Sequence, residues 1–503
     1  MGRALSALSI IVALLVATVG TPVVHAQDPV RAVGDWSMTP QSRDADGDGF
    51  IDGDGGVPRA RPLGSEPARK FIGAGNRIAQ PSERLINGNQ SWYLNPRGFT
   101  VRLDACDSRG TEYQWRIYRG DRQVQRTRWR ALKPKVCTRT IRLPEGEYRF
   151  KLEVRRGVDT AFRWVDARVK DYLFVVMGDS YSSGEGNPRN VQAWIDDPDR
   201  PFAPYYDDTS CNRSVRSGPA QAALALEKSS DKSSVTVIDV SCSGATVNAG
   251  ILGPQRSAGQ TTSQIQQLRQ VIGDRAVDIV VFSIGGNDIG FTSILSTCAL
   301  SLDCPLTRAT TAPLSRFDNV QQGVQTLTSR LPDSYARIAG CLGGQSCVLS
   351  DGSAIAPVKL AAGAQVLPLT YPDITRSAVG QPCSYFTLSR SSFSWARDTI
   401  LVPQAANPYR FTTLGGSTRD LSTGAGTLNG QILATSTLGW NPVAGIWGAS
   451  GDSDTGHGVC AGSDAWVFGI TTLTGPFSSG SFHPNPAGQR MAARQIARKL
   501  GVD

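Results

Sequence analysis

Ser180 stands in Gly178-Asp179-Ser180-Tyr181-Ser182-Ser183-Gly184, directly after the apolar run DYLFVVM. A serine hydroxyl is a weak nucleophile until a neighbouring base removes its proton during attack on an acyl carbon. Bases of the usual kind are scarce here, because the 503 residues include only three His, at 25, 457 and 483. His483 lies in Phe482-His483-Pro484-Asn485, just before a strongly signalled last helix, and could return the proton to a leaving alcohol. Two further polar turns follow apolar runs: Ser241-Cys242-Ser243-Gly244-Ala245 after VTVIDV, and Gly285-Gly286-Asn287-Asp288 after VDIVVFSI. A lone Gly-Asp-Ser is an ordinary strand-to-helix turn. Its chemistry depends on what the other three turns bring to it.

The elements that must position these turns are legible from residue 171 onward. DYLFVVM, VTVIDVS, VDIVVFSIG and AQVLPLT are short, nearly continuous apolar runs, as parallel strands buried on both faces require. Helical patterns lie between them, at Gly218–Lys228 and Ser263–Ile272. Alternation of strand and helix predicts an α/β domain with a parallel sheet over 171–503, with large insertions within 291–480. Ser180 would then sit at the carboxyl end of a parallel strand, in the crevice where such folds bind ligands. The last helix should start with Asn485 as N-cap and Pro486 at N1, and stop at Gly501.

Taken together, the four turns, in this order, resemble the SGNH (GDSL) hydrolase family, with GDSYSSGEGNP, CSGAT and IGGNDIGF closest to secreted actinobacterial-type esterases and lipases. The resemblance implies a flavodoxin-like three-layer α/β domain. It implies Ser180 as nucleophile, His483 as base, and an oxyanion hole of the Ser180 and Gly244 N–H groups with the Asn287 side-chain amide. The family usually carries Asp three residues before its His, but here that place is Gly480. Three substitutes are open: a backbone carbonyl, another carboxylate such as Asp452, Asp454 or Asp464, or low activity. The carbonyl is favoured, since some relatives run as Ser-His dyads. His457, in a Gly-rich stretch beside Cys460, is the competing base and reads better as structural. Asp179 and Asp288 read as turn-stabilising acceptors.

The rest of the chain divides by texture. Residues 1–26, with Arg3, an apolar run and Val24-His25-Ala26, read as a signal peptide and predict secretion. Residues 27–98 form a loop-rich leading segment. Within it Asp44, Asp46, Asp48, Gly49 and Asp52 have the spacing of a calcium loop, although Gly55 stands where a twelfth-position acid is expected. A weak calcium site and a solvated acidic loop remain alternatives, and no cofactor is expected for the catalysis. Residues 99–170 alternate apolar and charged positions and predict a small PKD- or immunoglobulin-like β-sandwich. All ten Cys follow the signal, so disulfides are expected, with neighbours suggesting Cys106–Cys137, Cys211–Cys242, Cys298–Cys304, Cys341–Cys347 and Cys383–Cys460.

The formal charge of +9 is unevenly spread. Residues 27–170 carry 28 Lys+Arg against 18 Asp+Glu, and residues 171–503 carry 23 against 25. The excess is densest at Arg116, Arg119, Arg122, Arg126, Arg128 and Arg130. A solvated face is the plainer reading, docking to an anionic cell-envelope surface the sharper one, and nucleic acid is not an expected partner. The expected function is a secreted serine esterase or lipase acting on a lipid or acylated polymer through a Ser-His acyl-enzyme. The alternatives are a carbohydrate O-acetylesterase and a catalytically weak surface-binding protein on a hydrolase fold.

Overall fold

The computed structural model describes residues 28–52, 78–81, 93–196, 204–385, 388–402, 410–413, 415–421, 426–445, 456–470 and 480–502. The expected signal peptide lies outside these. No helix of the described residues is long and apolar enough to cross a membrane. The strands are β1 (Asp35–Met38), β2 (Ile78–Ala79), β3 (Phe99–Asp104), β4 (Glu112–Arg119), β5 (Arg122–Arg126), β6 (Arg130–Ala131), β7 (Thr138–Leu143), β8 (Gly146–Arg156), β9 (Asp159–Gly178), β10 (Ser233–Asp239) and β11 (Val277–Ser283). They are followed by β12 (Cys347–Val348), β13 (Ala354–Ile355) and β14 (Leu360–Pro368). The helices are α1 (Ser180–Ser183), α2 (Val191–Asp196), α3 (Gly218–Lys228), α4 (Gln264–Ile272), α5 (Phe291–Leu300), α6 (Val320–Thr328), α7 (Leu331–Cys341), α8 (Arg390–Ala396), α9 (Leu428–Ala434) and α10 (Pro486–Lys499).

Two compact units form: Met1–Asp35 with Asp104–Thr138 and Arg149–Val165, and Trp36–Leu103 with Arg139–Tyr148 and Asp166–Asp503. The division departs from boundaries at 98/99 and 170/171. The reason is β9, a single 20-residue strand whose first half is almost wholly exposed or half-buried and whose last residues are buried throughout. A change of burial pattern within one strand reads in sequence as a change of domain.

In the first unit β4 is the central strand and pairs antiparallel with β5, β6 and β8. Trp115 lies opposite Leu152 and Ile117 opposite Phe150, and all four are fully buried. The alternate positions face outward, where Arg116 meets Glu153 at 3.0 Å. That is the alternation an antiparallel sheet with one covered face produces. Cys106 and Cys137 are joined within this unit.

In the second unit the strands run β2-β10-β9-β11-β14, every pair parallel. Taken in chain order, the last four stand second, first, third, fourth, which is the flavodoxin-like order with its switch point beside the first strand. Leu173, Val175 and Met177 of β9 face one apolar layer, with α4 contributing Ile265, Leu268 and Val271. Phe174 and Val176 face the other, with Ala220, Ala223 and Leu224 of α3 and Ala492, Ala493 and Ile496 of α10. Three layers result. Helices α3 and α10 lie so close that a Cβ on Gly218 would stand 2.7 Å from the Ala492 methyl. As expected, Asn485 caps α10, its Oδ1 accepting from the N–H groups of Ala487 and Gly488. Cys211–Cys242, Cys298–Cys304, Cys341–Cys347 and Cys383–Cys460 complete five disulfides, a set that fits an oxidising compartment.

Candidate active site

The four polar turns meet at the carboxyl ends of β9, β10 and β11. Gly178 ends β9 with φ +106°, and a Cβ there would lie 2.1 Å from the Ser283 carbonyl oxygen, so only glycine lets the chain turn against β11. Asp179 then caps α1, accepting from the Tyr181 N–H at 3.1 Å, and Ser180 opens the helix. The turn after β10 is held by Cys242, whose N–H donates to the Gly178 carbonyl at 3.0 Å and whose sulfur joins Cys211. The turn after β11 is tied to it, because Asn287 Nδ2 donates to the Ala245 carbonyl at 3.1 Å. Asp288 accepts from the Val247 N–H at 3.0 Å.

The fourth turn arrives from the far end of the chain. Tyr181 donates its hydroxyl to the Phe482 carbonyl at 2.8 Å, and Asn187 Nδ2 donates to the Pro484 carbonyl. Between them His483 is 13% exposed at its side chain. Its Nδ1 lies 3.0 Å from the Ser481 carbonyl, a group that can only accept, so that nitrogen carries the proton and Nε2 is the basic one. The partner of Nδ1 is thus a backbone carbonyl, Gly480 having no side chain to offer one. No hydrogen bond joins His483 to Ser180 among the described residues. What links them is Glu185, whose N–H donates to the Ser180 carbonyl at 3.2 Å and whose Oε2 stands 3.4 Å from His483 Nε2. Ser243 donates its hydroxyl to the same carboxylate oxygen at 2.5 Å.

Among the described residues, neither the Ser180 N–H nor the Gly244 N–H has a hydrogen-bond partner. Gly244 has φ +77°. Two free N–H groups and a side-chain amide at adjoining strand ends are the donor set an oxyanion requires.

Asp179 is buried and Asp288 half-buried, and both are engaged by hydrogen bonds that hold the turns. Burial pushes Asp179 up to about 6, against the pull of hydrogen bonds from Ser283, Tyr371 and Tyr181. Burial likewise raises Asp288 to about 7. Tyr371, from the loop after β14, donates to Asp179 and accepts from the Gly286 N–H at 3.0 Å. Neither Tyr371 nor Glu185 was singled out in the sequence. Tyr371 directly follows the fourth apolar run, so its place at a strand end was the available signal. Glu185 falls within GDSYSSGEG, where nothing in the spacing distinguishes it from a solvated turn residue.

The remaining candidates lie elsewhere. His457 stacks on Trp466, with ring centroids 3.5 Å apart, and its Nδ1 lies 2.7 Å from the Asp464 carbonyl. Asp452 and Asp454 are outside the described residues. Asp44, Asp46 and Asp48 converge, each offering a carboxylate oxygen within 4.8 Å of the others. Asp52 is turned to the chain instead, accepting from the Ala45 N–H at 2.9 Å.

No family model and no curated protein sequence matches the chain. Solved structures do resemble it. An extracellular lipase from Streptomyces rimosus is 20% identical, with a TM-score of 0.38 over 65% of this chain and 99% of that one. A family two carbohydrate esterase from Clostridium thermocellum is 11% identical, with a TM-score of 0.25 over 81% of this chain and 93% of that one. A carbohydrate acetylesterase from Xanthomonas citri is 10% identical, with a TM-score of 0.19 over 63% of each chain.

Proposed function

We propose that this chain is an exported serine esterase of the SGNH type, hydrolysing carboxylic esters through an acyl-enzyme on Ser180. The observation that carries the reading is His483. Its Nδ1–H is committed to a carbonyl that the chain itself supplies, which leaves Nε2 as the base on the side of the Ser180 turn. In this mechanism Nε2 takes the Ser180 proton as Oγ attacks the ester carbonyl. The oxyanion is received by the Ser180 and Gly244 N–H groups and the Asn287 amide. The imidazolium then passes its proton to the departing alcohol, and water repeats the sequence to release the acid. Glu185 supplies the negative charge that the family pattern places at Gly480, and it stabilises the imidazolium as it forms.

A specific observation favours acyl groups longer than acetyl. Beside Tyr181 and Gly286 lies a narrow apolar cavity of about 50 Å³, lined also by Ile289, Ile294, Leu388 and Phe393. Each methylene it receives should contribute about 0.8 kcal/mol, or roughly fourfold in kcat/KM over the first few carbons. Hydrolysis of p-nitrophenyl esters of graded chain length by wild type and Ser180→Ala tests both statements. Ser180-dependent turnover rising from acetate to butyrate and hexanoate is expected. A maximum at acetate would favour the carbohydrate O-acetylesterase reading. No turnover, with no labelling by an organophosphonate, would leave a binding protein on a hydrolase fold.

A further inference from the structure

The loop that begins at Asp44 has a geometry the esterase reading does not use. Its carboxylates recur at alternate positions, Asp44, Asp46 and Asp48, and Gly49 follows with φ +89°, which lets the chain bend back. The loop is closed by the Asp52 N–H donating to the Arg43 carbonyl at 2.7 Å and by the Ala45 N–H donating to Asp52 at 2.9 Å. Beyond the turn, Ile51 is 1% exposed within the apolar layer of α3 and α10, and the Arg216 guanidinium lies 4.0 Å over the Phe50 ring. The three convergent carboxylates are thus held on a buttressed turn.

Asp44 supplies the independent observation. Its side chain is only 5% exposed. One oxygen, Oδ2, accepts from Lys228 at 2.6 Å and from the Gly49 N–H at 3.2 Å. The other, Oδ1, is buried and has no partner among the described residues. A buried carboxylate oxygen left without a donor is expensive, and normally signals a ligand or a solvent molecule. Lys228 is itself 56% exposed and engages only the opposite oxygen.

We propose that Asp44 Oδ1, with the carboxylates of Asp46 and Asp48, binds a calcium ion that fastens this loop to the core of the second unit. Hard oxygen ligands at alternate positions, closed by a glycine turn, suit Ca²⁺ better than a soft metal. The twelfth-position acid of a complete calcium loop is replaced by Gly55. The affinity should therefore be that of an extracellular module, with Kd on the order of 10⁻⁴–10⁻³ M.

The test uses the full mature protein, stripped with EDTA and dialysed, titrated with CaCl2 by calorimetry and melted with and without 10 mM CaCl2. One bound equivalent and a rise in Tm of at least about 2 °C are expected. Asp46 and Asp48 are exposed, so D46N/D48N should retain its fold by circular dichroism while its calcium affinity falls at least about tenfold. Absence of binding heat and of a melting shift in wild type would overturn the site. So would a shift undiminished in D46N/D48N, or an equal shift with MgCl2.

Discussion

In the first unit, β5 carries Arg122 and Arg126 on a strand exposed at every position. In the second unit, Asp179 and Asp239 are buried and Asp288 half-buried beside the carboxyl ends of β9, β10 and β11. Burial raises Asp239 to about 7, as it does Asp288. The solvated arginines weigh heavily in the net charge. The buried carboxyls add little to the count, yet desolvation moves them by several pH units and lets neutral and ionised forms coexist near pH 7. A charge total therefore reports on the first unit and is almost blind to the second, where the chemistry is proposed.

The largest effect should separate the two regions outright. Ser180→Ala and His483→Ala should each lower kcat on a soluble p-nitrophenyl ester by about 10⁴-fold or more, since residues that act as one unit fail together. Arg122→Ser/Arg126→Ser should leave kcat/KM within about twofold, because fully solvated charges contribute little. His457→Ala should do the same, its ring being spent on Trp466. A large loss in the arginine variant would mean that the basic strand takes part in turnover, and the contrast between the units would break.

Within the second unit the donors should rank next. Asn287→Ala removes one of the three proposed oxyanion donors, for an expected loss of about 10²–10³ in kcat with KM little changed. Glu185→Gln keeps the Ser180 carbonyl contact, which is made by backbone, and removes only the charge near His483 Nε2. A loss of roughly 10–100-fold in kcat is expected, smaller than for a triad Asp because the Ser481 carbonyl still fixes the tautomer. Should KM rise instead while kcat holds, Glu185 would be a substrate contact, with no part in stabilising the imidazolium.

These residues also show how far sequence reaches. The parallel strands were legible because burial on both faces leaves uninterrupted apolar runs, and α10 because its cap and stop residues are local signals. Ser180, Gly244 and Asn287 were legible as turns at the ends of those runs, and His483 by its place just before α10. Glu185 and Tyr371 were not, since each acts through a contact across hundreds of residues, to His483 in one case and Asp179 in the other. The carbonyl of Ser481 has no side-chain signature at all. The unit boundary was hidden for a different reason: β9 changes its burial pattern without leaving the strand.

The smallest effect bears on stability and tests whether the buried carboxyls behave as argued. Asp288 has its folded value raised by burial to about 7 from an ordinary 3.8. The native state then holds a proton that the unfolded chain has released between those values. The stability associated with that proton is fully present below about pH 4 and is lost as pH rises towards 7, at no more than about 1.4 kcal/mol per pH unit. Asparagine imitates the protonated form at every pH and can still accept from the Val247 N–H. Asp288→Asn should therefore gain on wild type between pH 5 and pH 8, read as a difference in Tm that grows more positive across the window. Arg126→Ser, on the exposed strand, should show a flat difference over the same range. A flat line for Asp288→Asn as well would mean that its carboxyl is as well solvated as the arginines of β5, and the two regions would no longer differ in how they hold charge.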